Sequence, residues 1–144
     1  MNKSKRIFLI EDDEHDRYFF TLALKSIAHA ELTDSAENGK EAIDKLLRAA
    51  ILPDIIFTDI QMPLMDGVDF IHAALQRIPG ISLIPIVAMS NELSRINKIK
   101  EVGARAFIKK PGTIATLADL VERMVHLDYT KDADIANQTF NSIN

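Results

Sequence analysis

The sequence predicts an α/β domain built as a doubly wound, five-stranded parallel sheet with helices on both faces. Short apolar runs such as residues 7–10, 55–57 and 84–89 suit strands that are buried on both sides. Between the runs lie longer segments whose apolar residues recur at helical spacing. Acids, a hydroxyl and a lysine stand just past the ends of the runs, on the sheet edge where α/β domains bind ligands.

In chain order, Arg6 opens the first strand, Ile7-Phe8-Leu9-Ile10, which ends at once in Glu11-Asp12-Asp13-Glu14. Phe19, Leu22, Ala23 and Ile27 then mark a helix from about Asp16, with Asp13 or Glu14 placed to offset its dipole. Residues 32–36 read as a weaker second strand, closed by the turn pair Asn38-Gly39. Residues 40–50 carry Ala42, Ile43, Leu46 and Leu47 on one helical face and stop before Pro53. Residues 55–58 form the third strand and deliver Asp59, after which Met62-Pro63 and Asp66-Gly67 forbid its continuation. Phe70, Ile71, Ala74, Leu75 and Ile78 mark the third helix, ended by Pro79-Gly80.

Residues 84–89 are the fourth strand and present Ser90 and Asn91. Leu93, Ile96 and Ile99 or Lys100 give a short fourth helix with Gly103 as its left-handed cap. Residues 106–108 are the fifth strand and run into Lys109-Lys110-Pro111. Ile114, Leu117, Val121, Met124 and Val125 form the last helix, capped by Thr113. Periodicity is lost after Leu127. One folded domain is therefore expected over residues 1–128, with a polar tail over 129–144 in which Ile135, Phe140 and Ile143 are too sparse for a core.

Composition narrows the function. A chain of 144 residues with 47% hydrophobic and 26% charged residues supports one well-buried globular domain. Its net charge of −4 argues against binding a phosphate backbone directly, so no nucleic-acid role is expected. With no cysteine there are no disulfides or thiolate metal sites, which fits a cytoplasmic location. The basic start followed by four apolar residues and acids is not a secretory signal, and no stretch could span a bilayer.

The strand ends carry the chemistry. Glu11, Asp12 and Asp59 would meet at one rim, where like charges push carboxyls toward protonation unless a cation intervenes. A divalent metal together with Lys110 would balance them. An all-oxygen ligand set without histidine or cysteine at ligand spacing selects Mg²⁺, with Mn²⁺ as a substitute. A carboxylate nucleophile, a metal, an ammonium and a hydroxyl suit phosphoryl transfer. One carboxylate must attack, because Ser90 has no neighbouring base, and Asp59, central in the sheet, is favoured over Glu11 and Asp12.

These residues carry a family resemblance. The acidic cluster after the first strand, DIQMPLMDG after the third, VAMSN after the fourth and FIKKP after the fifth resemble the receiver domain of two-component response regulators, over roughly residues 5–127. The resemblance implies a flavodoxin-like (βα)5 fold with Asp59 as phosphoacceptor, charged by a histidine kinase or phosphotransfer protein. It implies Mg²⁺ held by Asp12, Asp59 and the main-chain carbonyl of Gln61, with Glu11 as the further acid of the pocket, acting through water. Ser90 and Lys110 would contact the phosphoryl group. Phe107 matches the aromatic switch position and would turn inward as Ser90 moves, changing the face of the fourth helix, fifth strand and fifth helix. Gln61 and Glu92 match positions that tune the lifetime of the acyl phosphate. The peptide before Pro111 is usually cis in the family. Ser90 and Lys110 are slightly closer in sequence than is usual there, which shortens the fourth helix.

The other residues near the site have plainer readings. His15, His29, His72 and His126 lack partners at ligand spacing and are read as solvent-facing. Met62 and Met65 pack or line the loop, Lys109 is solvated, and Asp13 starts a helix. Tyr18 and Phe20 belong either to a partner surface or to the margin of the core.

The leading expectation is a stand-alone phosphoacceptor, monomeric or weakly dimeric, that signals by binding a protein target when phosphorylated. It would be no enzyme beyond its own phosphorylation and dephosphorylation. No output domain is expected after Leu127. A phosphorelay intermediate that passes the group to a histidine phosphotransfer protein is the alternative. A Mg²⁺-dependent phosphohydrolase is disfavoured, because such enzymes generally need a second acid where this chain has Gln61.

Overall fold

The computed structural model describes residues 3–130, and the apolar runs and periodic segments become strands and helices in strict alternation. β1 (Lys5–Ile10), α1 (Glu14–Leu24), β2 (Ala30–Ala36), α2 (Gly39–Arg48), β3 (Ile55–Asp59), α3 (Gly67–Arg77), β4 (Ile86–Ser90), α4 (Ile96–Val102), β5 (Ala106–Lys109) and α5 (Ile114–His126) follow one another, with one 3-10 turn at Ile81–Leu83. Every strand pairing is parallel and the order is β2-β1-β3-β4-β5. The order reverses between β1 and β3, which opens a crevice beyond their carboxyl ends.

Alternation along the strands divides the core in two. Phe8, Ile10, Ile56, Ala88 and Phe107 face α2, α3 and α4, whereas Ile7, Leu9, Phe57, Val87, Met89 and Ile108 face α1 and α5. Four helices begin with a side-chain cap: Asp13, Asn38, Asp66 and Thr113 each accept the N–H three residues on. α4 is only seven residues long and starts at Arg95 without such a cap, but it ends as expected at Gly103, whose φ of 125° a side chain would resist. Among the described residues no helix is long and apolar enough to cross a membrane.

Several expectations need correction. Leu47, Leu75 and Ile114 are exposed, at 43%, 44% and 36%. The apolar stripe of each helix is therefore narrower than its sequence pattern implied. Phe20 belongs fully to the core, where its ring lies 5.2 Å from that of Phe57, while Tyr18 points to solvent. The Lys110–Pro111 peptide is trans, since no cis bond occurs among the described residues. Tyr129, assigned to the tail by its sequence, packs against the α1/α5 core and donates its hydroxyl to the Met124 carbonyl at 2.8 Å. Ile135, Phe140 and Ile143 lie outside the described residues.

Candidate functional site

β1 and β3 are neighbours, and this pairing brings Glu11 and Asp12, just past β1, beside Asp59 at the end of β3. One carboxylate oxygen from each lies within 4.8 Å of the others, with Glu11 and Asp59 buried and Asp12 exposed. β4 and β5 complete the rim. Ser90 pairs with Lys109, and the Lys110 N–H donates to the Ser90 carbonyl at 3.0 Å. The five residues singled out by the sequence thus occupy one edge of the sheet.

The carboxylates are held by different partners. Asp59 Oδ1 accepts the Ile60 N–H at 2.8 Å, which leaves Oδ2 facing Lys110 Nζ at 3.2 Å. Gly67 lets this happen. It packs its Cα against the Asp59 main chain, where a Cβ would sit 2.5 Å from the Asp59 carbonyl oxygen, and its N–H donates to the Ile60 carbonyl. Lys110 Nζ also donates to Glu11 Oε1 at 2.7 Å and to Asp16 Oδ2 at 2.8 Å.

Burial pushes the Glu11 carboxyl up to about 8; the Lys110 hydrogen bond pulls it down and the Asp59 charge pushes it further up. Burial opposes the charge on Lys110, but the hydrogen bonds it donates to Asp16 and Glu11 and the charge of Asp59 outweigh it and raise the ammonium above its usual value. One ammonium thus serves a cluster with more negative charge than it can neutralise. The donor set is entirely oxygen and suits a hard divalent cation.

Beyond this cluster, Gln61 Nε2 donates to Glu92 Oε2 at 3.0 Å, linking the β3–α3 and β4–α4 loops at the rim. The Ser90 hydroxyl accepts the Glu92 N–H at 3.0 Å. Phe107 is buried among the residues facing α2, α3 and α4, so its ring is already inward in this structure. Asp13 starts α1 as read from the sequence, His15, His29, His72 and His126 are exposed, and so is Lys109.

Two site residues escaped the sequence reading. Asp16 reaches Lys110, and Arg17 Nη1 donates to the carbonyls of Glu11 and Asp12 at 2.9 and 3.0 Å, fixing the acidic turn. Their direction depends on where the helix starts. With Asp13 as cap, Asp16 and Arg17 fall in the first turn and lean back over the end of β1.

A family model described as the response regulator receiver domain matches residues 7–122. The chain is 37% identical over 112 residues to the two-component response regulator ORR41 of Oryza sativa subsp. japonica, covering 76% of this chain and 85% of that protein. It is 36% identical to the chemotaxis protein CheY of Thermotoga maritima, covering 74% of this chain and 86% of that one. Among solved structures, the chemotaxis response regulator CheY4 of Vibrio cholerae superposes with a TM-score of 0.71 at 27% identity, over 84% of this chain and 98% of that one.

Proposed function

The chain belongs to the response regulator receiver domain family, and from that membership we propose that Asp59 accepts a phosphoryl group from a histidine kinase or phosphotransfer protein. The phosphorylated form then signals by binding a downstream protein. The observation that carries this reading is the meeting of Glu11, Asp12 and Asp59 within 4.8 Å, beside an ammonium 3.2 Å from Asp59 Oδ2.

In the reaction, a lone pair of Asp59 Oδ2 attacks phosphorus while the bond from phosphorus to the donor imidazole nitrogen breaks. The bonding electrons leave with that nitrogen, and the ring, protonated on its other nitrogen and cationic while phosphorylated, departs as neutral imidazole. The donors left behind by Oδ2 are suited to what it becomes: Lys110 passes its hydrogen bond to a phosphoryl oxygen, and the Ser90 hydroxyl turns toward the same group. Asp12, Asp59 and the Gln61 main-chain carbonyl would hold Mg²⁺ or Mn²⁺, with Glu11 acting through water. The ion, when bound, supplies positive charge that offsets the carboxylates and the phosphoryl oxygens. Arg17 keeps the Glu11 and Asp12 carbonyls in place for this.

Ser90 and Phe107 form the proposed switch. Movement of the Ser90 side chain toward the phosphoryl group alters the space next to the buried Phe107 ring, and the packing of α4 and β5 adjusts. Gln61 and Glu92, joined at the rim, would govern how readily water reaches the acyl phosphate. The site's only proposed turnover is its own phosphorylation and hydrolysis. The setting would be the cytoplasm, and the protein would work as a monomer or weak dimer. The folded receiver would extend to Tyr129, one residue past the boundary expected from the sequence.

Acetyl phosphate and Mg²⁺ supply a direct test with intact-protein mass spectrometry. The parent should gain one phosphoryl group and Asp59→Asn none. Equal labelling of both would remove Asp59 as the acceptor.

A further inference from the structure

Lys110 has three N–H donors and spends them on three carboxylates: Glu11 at 2.7 Å, Asp16 at 2.8 Å and Asp59 at 3.2 Å. Only the last of these partners is changed by phosphorylation. Glu11 and Asp16 come from separate elements, the end of β1 and the first turn of α1. The lysine backbone is anchored by its N–H on the Ser90 carbonyl, but its four-carbon stem is flexible. That stem also has room to move. It borders a cavity of about 210 Å³, lined by Phe19, Phe20 and Leu117 and, besides Glu11 and Asp16 themselves, by the polar Asn91.

We propose that Asp16 is a positioning residue for phosphoryl transfer: with Glu11, it fixes the Lys110 ammonium so that the third donor points at Asp59 and then at the transferred group. The role rests on the reading of Asp59 as phosphoacceptor. A grip from Glu11 alone leaves the ammonium free to swing about a single hydrogen bond. Adding Asp16, from a different direction, triangulates it. The Asp16 side chain is 42% exposed, against 2% for Glu11, so it can be replaced without emptying the core.

Asp16 also follows the Asp13 cap and its own N–H serves that cap. An ordinary role in starting α1 would use that backbone group and the helix dipole, and would not require Lys110. The two roles separate in a double-mutant cycle of Asp16→Asn and Lys110→Met, read as the initial rate of phosphorylation by acetyl phosphate at saturating Mg²⁺. Asp16→Asn is expected to slow the parent about tenfold, and to change the rate less than about twofold when Lys110 is already Met. Equal slowing in both backgrounds, an unchanged rate or a faster one overturns the proposal.

A second measurement needs no activity and remains decisive if Lys110→Met is too slow to follow. In ¹⁵N-edited spectra the Lys110 ammonium, protected while all three donors are engaged, should exchange faster with water in Asp16→Asn. An unchanged signal contradicts the grip. If the parent takes up no phosphoryl group, the phosphoacceptor reading fails and takes this role with it; if Asp59 is labelled normally but Asp16 and Lys110 act independently, only the role of Asp16 falls.

Discussion

Replacing Gly67 with alanine sets two known effects against each other. Gly67 is the first residue of α3, following the Asp66 cap. Alanine is favoured over glycine by about 1 kcal/mol inside a helix, and by less in the first turn. Against that gain stands a collision. The added Cβ would lie 2.5 Å from the Asp59 carbonyl oxygen and 2.9 Å from Ile60 Cα, both backbone atoms that cannot swing away. Restoring ordinary contact requires movement of roughly 1 Å, and overpacking of this kind costs about 1–3 kcal/mol. The collision wins, leaving a net loss of about 1–2 kcal/mol.

The displacement falls on the residue that bears the proposed nucleophile, so phosphorylation by acetyl phosphate should slow by about a hundredfold. Urea unfolding measures the first effect and labelling kinetics the second. Gly112→Ala is the control, because nothing lies within 4 Å of its added Cβ, and it should be neutral or gain about 0.5 kcal/mol. A Gly67→Ala protein as stable and as readily labelled as the parent would refute the claim that this close approach positions Asp59.

Phe20→Ala should cost about 3–5 kcal/mol in urea unfolding, since the ring is buried against Phe57, whereas the exposed Tyr18→Ala should stay within about 0.5 kcal/mol of the parent. Thr113→Ala removes the oxygen that accepts the Thr116 N–H and should lower stability by about 1 kcal/mol by the same assay. The Asp13 carboxyl is held below its usual range, chiefly because it accepts the Asp16 N–H. A depressed folded-state pKa means that its contribution is complete above the ordinary carboxylate range and is lost as pH falls through the lower folded value. Asp13→Asn should therefore narrow the difference in urea midpoint between about pH 6 and about pH 3; an unchanged difference would contradict the capping role of the charge.

Strand ends were legible because a change from apolar to charged or turn-forming residues is a local signal. Asp59 and Ser90 close β3 and β4, each one residue beyond the strand expected from the sequence. The width of an amphipathic stripe is a tertiary property, and this is why Leu47, Leu75 and Ile114 were misplaced: periodicity gives the direction of a helix face but not how far its neighbours reach around it. Tyr18 and Phe20 are two positions apart and point to opposite sides of α1, a distinction fixed only once the helix is docked.

At the site, the acids, the hydroxyl and the lysine were readable from their places after successive strands. Asp16 was not, since a carboxylate in a first turn ordinarily serves the helix dipole, and nothing in its spacing from Lys110, 94 positions later, announces a contact. Tyr129 likewise lies beyond the last periodic segment and is recruited by one hydrogen bond and a patch of core.

The central claim is that side chains from separate strands converge to hold a divalent ion beside a carboxylate that accepts phosphate. Amide NMR spectra of the parent and of Asp59→Asn, with Mg²⁺ and then with Mg²⁺ and beryllofluoride, test it most directly. Mg²⁺ should shift the amides of residues 11–13 and 59–61 in the parent, and beryllofluoride should add changes at Ser90, Phe107 and Lys110 that Asp59→Asn does not reproduce. Spectra in which neither addition moves those residues, or in which Asp59→Asn responds to beryllofluoride as the parent does, would contradict it.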